Sequence, residues 1–140
     1  MLRPTFVVAE PEPENALSTR KLVLETAKFN VITAHSGDEA KEILRQFPNA
    51  SALIVHEDLP GPDCADVVKF CKQQRPGMPA IALSMSDTFV CAGTDHRCST
   101  HDPEELLELL RKLFGDPRLL DESNRAAAAR EAGQPPRQKS

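Results

Sequence analysis

Short unbroken apolar runs alternate along this chain with segments whose apolar residues recur at helical spacing. Phe6-Val7-Val8-Ala9 is a run of the kind that a strand buried on both faces requires. Val31-Ile32-Thr33-Ala34, Ala52-Leu53-Ile54-Val55 and Ala80-Ile81-Ala82-Leu83 repeat it. Between the first two, Ala16, Leu17, Val23, Leu24 and Ala27 share one face of a helix predicted from Pro13 to Phe29. The next helix opens on Ser36-Gly37-Asp38-Glu39, a serine followed three residues later by a glutamate, which together make a capping box. Its stripe is Ala40, Ile43, Leu44 and Phe47, and Pro48 stops it. Leu59-Pro60-Gly61-Pro62 predicts a turn, and Asp63 an N-cap for a helix whose inner face is Cys64, Val67, Val68 and Cys71.

After the fourth run the pattern weakens. Ser86 to Gly93 has room for two helical turns at most, and Asp95 to Ser99 is polar for a strand. Asp102-Pro103-Glu104-Glu105 restores the signal, with an N-cap, a proline at the first helical position and a glutamate at the third. The stripe here is Leu106, Leu110, Leu113 and Phe114, and Gly115 is the stop. Strands alternating with helices predict an α/β domain, its sheet parallel and covered by helices on both faces through right-handed crossovers. The pattern bounds a domain at residues 1–115 and leaves 116–140 as a tail. Arg118 to Ala132 reads there as a marginal solvated helix, and Gly133 to Ser140 as disordered.

Composition narrows the function classes. The 140 residues suffice for one domain, and the net charge of −4 offers no basic footprint for nucleic acid. The acidity belongs to the body, since 12 basic residues face 17 acidic ones up to Gly115. With no Trp or Tyr, stacking platforms for single strands are not expected. No apolar run is long enough to span a bilayer, and the N-terminal run is too short for a signal-peptide core, so a cytoplasmic protein is expected. Cys64, Cys71, Cys91 and Cys98 are accordingly expected as reduced thiols, with Cys64 and Cys71 packing as small hydrophobes.

Ligand chemistry in an open parallel sheet gathers at the carboxyl ends of its strands. Those ends carry Glu10-Pro11, His35, His56, Ser84 and Ser99. No G-x-G-x-x-G follows the first strand and no P-loop lysine motif occurs, which argues against dinucleotide and nucleoside-triphosphate binding.

Four segments resemble the receiver domain of two-component response regulators. Val8-Ala9-Glu10-Pro11-Glu12-Pro13 is similar to the family's first strand and acidic pair. His56-Glu57-Asp58-Leu59-Pro60-Gly61-Pro62-Asp63-Cys64 is similar to its Asp-x-x-Leu/Met-Pro-Gly-x-Asp-Gly segment, and Ala82-Leu83-Ser84-Met85-Ser86 to its switch strand. Pro103-Glu104-Glu105-Leu106 resembles the start of its last helix. The resemblance covers residues 5–114 and implies a flavodoxin-like three-layer sandwich. Its five-stranded parallel sheet would run in the order 2-1-3-4-5, and the fourth helix would be short or absent.

The sequence departs from that pattern at the residues that carry its chemistry. The resemblance puts the phosphoryl-accepting aspartate at His56, the second acidic residue of the metal site at Pro11, and the fifth-strand lysine at Ser99. Glu10 keeps one carboxylate, and Ser84 alone matches its switch position chemically. His56 reads as a structural polar residue, or as half of an acid–imidazole pair with Glu10 or Asp58. Phosphoryl acceptance is disfavoured because the site lacks charge neutralisation. Glu10, Glu12 and Glu14 read as a solvated acidic rim.

The expected function is therefore a pseudo-receiver, not an enzyme, that works through protein contacts independently of phosphorylation and without a cofactor. Its partners are expected in bacterial-type signalling, a second copy of the chain among the candidates. The expected contact surface is Arg97, Leu107 and Leu109, beside a fifth strand left uncovered by the stunted helix. The alternative is a small-ligand or metal sensor. Cys91, His96, Cys98 and His101 place two thiols and two imidazoles within eleven residues, though their spacing matches no common zinc fold.

Overall fold

A computed structural model describes residues 3–11, 19–86 and 88–117 of the chain. Five strands, β1 (Thr5–Ala9), β2 (Asn30–Ala34), β3 (Ala52–His56), β4 (Ala80–Ser84) and β5 (His96–Ser99), form one parallel sheet in the order β2-β1-β3-β4-β5. Four helices cover it: α1 (Thr19–Thr26), α2 (Gly37–Gln46), α3 (Cys64–Gln74) and α4 (Pro103–Phe114). The predicted three-layer order is thus present. Between β4 and β5 the described residues form turns and no helix. Of the predicted first helix, Ala16 and Leu17 lie outside the described residues, as does the tail beyond residue 117.

Strand alternation divides the interior in two. Val7, Ala9, Leu53, Val55 and Ala82 face α2 and α3, where they meet Ala40, Leu44, Val67, Val68 and Cys71. Phe6, Val8, Ile54, Ile81 and Leu83 face α1 and α4, where they meet Leu24, Ala27, Leu106, Leu107 and Leu110. The three helix starts signalled by the sequence are built as capping requires. Ser36 Oγ accepts from the Glu39 N–H (3.1 Å), Asp63 Oδ1 from that of Asp66 (3.0 Å) and Asp102 Oδ1 from that of Glu105 (3.2 Å).

Three helix-face assignments need correction. Phe47 lies past the end of α2 with 46% of its surface exposed, because the helix ends one residue earlier. Leu113 points outward on α4, and Leu107 takes the buried place expected of it. The contact between α1 and α4 draws the buried face of α4 toward Leu107, while Leu109 is partly buried against the same core. Gly37, within the capping box, is required by a close approach. A Cβ there would lie 2.1 Å from the Pro62 carbonyl oxygen, and the Gly37 N–H already donates to the Pro60 carbonyl (2.9 Å). That contact seats the β3–α3 turn beside the carboxyl ends of the strands.

The expectation of four reduced thiols is also corrected. Cys64 and Cys91 form a disulfide across a sequence separation of 27, with their Cα atoms 6.1 Å apart. Cys71 and Cys98 are free and buried. The chain segment after β4, lacking a helix, folds back onto the start of α3, and that brings together two residues whose spacing carries no signal.

Candidate functional site

The parallel register sets the strand ends side by side. Ala9 pairs with Val55, His56 with Leu83, and Ser84 with Ser99. Glu10, His56, Ser84 and Ser99 therefore line one edge of the sheet, as the sequence predicts.

Glu10 is buried rather than part of a solvated rim, at 4% exposure, while Glu12 and Glu14 lie outside the described residues. A buried carboxylate requires a compensating charge, and α1 supplies one. The Arg20 guanidinium forms an ion pair with Glu10 Oε2 and donates through its other terminal nitrogen to the Thr100 carbonyl (3.3 Å). One side chain thus ties the end of β1 to the residue that follows β5. Arg20 carries no motif. The one sequence signal for it is that a strand-end glutamate on an interior strand needs a cation. His35 adds a hydrogen bond from Nδ1 to the Glu10 carbonyl oxygen (3.2 Å).

The pairing of His56 with a carboxylate is replaced by a local contact. His56 Nδ1 accepts the Asp58 backbone N–H (3.0 Å), which leaves the proton of the neutral ring on Nε2. Asp58 itself is exposed. Burial and the neighbouring Arg20 charge lower the His56 pKa from its ordinary 6.5, against the opposing influence of Asp58, Glu10 and Glu57. The folded protein therefore binds this proton less readily than the unfolded chain does. The stabilisation is fully present above pH 6.5 and is lost as pH falls through the lowered folded value. An NMR titration should place the His56 midpoint below 6.5, and His56→Gln should flatten the pH dependence of stability just below that value. A midpoint above 6.5 would refute this account of the ring.

Glu57, the residue after His56, has a role that the sequence did not signal. Its Oε2 accepts from Ser84 Oγ (3.1 Å) and its Oε1 from the Met85 N–H (2.7 Å). Ser84 Oγ is also positioned to donate to the Ser86 carbonyl (2.7 Å) and accepts from the Ser86 N–H (3.0 Å). The donors at the end of β4 are thus already turned to a carboxylate of the same chain. Ser99 is similarly engaged, its N–H donating to Glu105 Oε1 (3.1 Å) and its Oγ accepting from the His101 N–H (3.2 Å).

The donors at the strand ends do not fit a magnesium ion, which demands a near-octahedral shell of oxygens. Glu10 is engaged by Arg20, Pro11 has no side-chain oxygen, and His56 offers an imidazole. The Cys/His set fails on geometry as well. The Cys91 sulfur is bonded to Cys64 and lies with the core on one face of the sheet, while Cys98 is buried on the other. Among the described residues no group of three or more His, Cys, Asp or Glu is placed to hold a metal. The expected contact surface also changes. Arg97 donates through two nitrogens to the Ser86 carbonyl (3.1 and 2.7 Å), Leu107 is buried, and the exposed apolar residues near β5 are Met85 and Val90. No described helix is long and apolar enough to cross a membrane.

No protein-family model matches the sequence, and no curated protein matches it. The fold matches solved receiver domains. One is a response regulator receiver domain protein from Clostridium thermocellum, with 22% identity and a TM-score of 0.70, covering 84% of this chain and 98% of that one. Another is the receiver domain of a Francisella response regulator, with 22% identity and a TM-score of 0.67, covering 79% and 96%. A third is the receiver domain of a sensor histidine kinase from Pseudomonas aeruginosa, solved with magnesium coordinated in its active-site cleft. It shares 18% identity at a TM-score of 0.67, covering 79% and 97%.

Proposed function

We propose that this protein is a receiver-like module of two-component signalling that acts by binding protein partners without being phosphorylated. The receiver fold supports the signalling class. The observation that carries the rest is the Arg20 guanidinium on buried Glu10. It puts a fixed cation in the strand-end cleft, whereas the Pseudomonas receiver domain was solved with a magnesium ion in its own cleft. With a bound side chain in that role, and with an imidazole at position 56, the charge neutralisation that phosphoryl transfer needs is spent within the fold. Glu57 supports the same reading from the other side of the cleft, because it already engages Ser84 and Met85. A module built this way keeps its strand-end cleft in one arrangement. Its contact surface on this reading includes Arg97 and the exposed Met85 and Val90 beside the β5 edge.

The test is a pair of amide NMR spectra recorded before and after addition of Mg²⁺ with acetyl phosphate, and of Mg²⁺ with beryllofluoride. Unchanged resonances at residues 10, 20, 56, 57 and 84 are expected. Saturable shifts confined to those residues would refute the proposal.

A further inference from the structure

The disulfide is placed where its state has a local consequence. Residues 85–95, between β4 and β5, form no helix or strand among those described. Polar contacts hold this segment at its two ends. At the front, Glu57 accepts the Met85 N–H and Arg97 donates to the Ser86 carbonyl. At the back, Asp95 Oδ2 pairs with Lys72 Nζ (2.7 Å) and accepts the Ala80 N–H (2.8 Å). The middle is held by the bond from Cys91 to Cys64, together with the packing of Phe89 and the approach of Gly93 to Val68. Val90, next to Cys91, is 84% exposed. Cys91 itself is buried with Phe89 against the α2 and α3 side of the core, so exposing its sulfur means lifting these few residues from the margin of that one face.

We propose that Cys64 and Cys91 form a reversible thiol–disulfide site whose oxidation state decides whether the middle of the 85–95 segment is held against α3. The oxidant class is a low-molecular-weight disulfide. The Cys64 thiolate attacks one sulfur of that disulfide, forming a mixed disulfide and releasing one small thiolate. The Cys91 thiolate then attacks the Cys64 sulfur and releases the second. Two protein thiols are oxidised, one small disulfide is reduced to two thiols, and the two protons lost by the cysteines pass to the leaving thiolates. Cys64 stands at the first position of α3, and Cys91 on the segment that moves against it. The other two cysteines do not compete. Burial raises the Cys71 thiol, and burial with Glu105 pushes Cys98 up to about 11. The thiol count and the order parameters report on these two cysteines directly, so the test can fail without the signalling proposal failing.

Full-length protein is equilibrated with glutathione disulfide or with dithiothreitol under native conditions. Free thiols are then counted and backbone order parameters measured. Oxidised protein should show two reactive thiols on denaturation and reduced protein four, with glutathione disulfide restoring two. On reduction, order parameters at residues 88–94 should fall from about 0.85 toward about 0.6, while those of the central strands stay in place. Cys91→Ser in oxidising buffer should reproduce the reduced segment, and Cys71→Ser should not. Four thiols after the glutathione disulfide step, failure of dithiothreitol to reduce the folded protein, or an unchanged segment on reduction would each overturn the proposal.

Discussion

Replacing Arg20 with methionine is expected to lower the unfolding free energy by about 3 kcal/mol at pH 7, the scale on which removing one partner of a buried ion pair acts. The cause is what remains. The Glu10 side chain is 5% exposed, so its carboxylate would stay desolvated with its guanidinium gone. Methionine keeps most of the Arg20 stem volume, so the loss reads the charge and not a cavity. The double variant Glu10→Gln with Arg20→Met should recover part of that loss, because it removes the buried carboxylate along with the cation. His56 provides an independent readout. Arg20 lowers the His56 pKa and Glu10 raises it, so Arg20→Met should move the His56 midpoint up and Glu10→Gln should move it down. Chemical denaturation and NMR titration of the same variants check both. A neutral Arg20→Met variant with an unmoved His56 would mean that the pair does not organise this edge of the sheet.

Reducing the Cys64–Cys91 bond is expected to cost about 3.5 kcal/mol of global stability, from the chain-entropy relation for a closed loop of this length. The sequence separation of 27 sets that figure, because the cross-link removes loop freedom from the unfolded chain. For a domain of this size the loss corresponds to a fall of about 15 °C in Tm. The oxidised protein should also unfold with a smaller dependence on denaturant, since a cross-linked unfolded chain exposes less surface. Urea melts with and without reductant measure both quantities, and the Cys64→Ala with Cys91→Ala variant should show no further effect of reductant. Coincident melts for oxidised and reduced wild type would overturn the expectation.

Much of this molecule is legible in one dimension because the physics involved is local. A strand buried on both faces must be continuously apolar, and Phe6–Ala9, Ala52–Val55 and Ala80–Leu83 are. A helix must satisfy its first N–H groups, and Ser36, Asp63 and Asp102 stand three residues before the groups they cap. The order of strand ends follows from crossover handedness together with the receiver resemblance, which place Glu10, His56, Ser84 and Ser99 together.

Partner choice among side chains is another matter. From the chain alone His56 reads as a structural polar residue or as half of a pair with Glu10 or Asp58; in the structure it turns to the backbone of Asp58, and Glu10 to Arg20. A carboxylate on a buried strand end states only that some cation must come. Which one arrives depends on where α1 lies against the sheet, and that is set by the packing of Leu24 and Ala27 with α4. Likewise a missing helix between Ser84 and His96 could be counted from residue numbers, but not where the shortened connection would rest. Its return onto α3 joined Cys64 to Cys91 and separated Cys91 from Cys98 by the thickness of the sheet. Backbone pattern and capping were thus determined by the sequence itself, because they depend on neighbours within a few residues. The ion pair, the disulfide and the Glu57 clamp were decided only by tertiary structure, because each joins groups whose distance is set by how the layers pack.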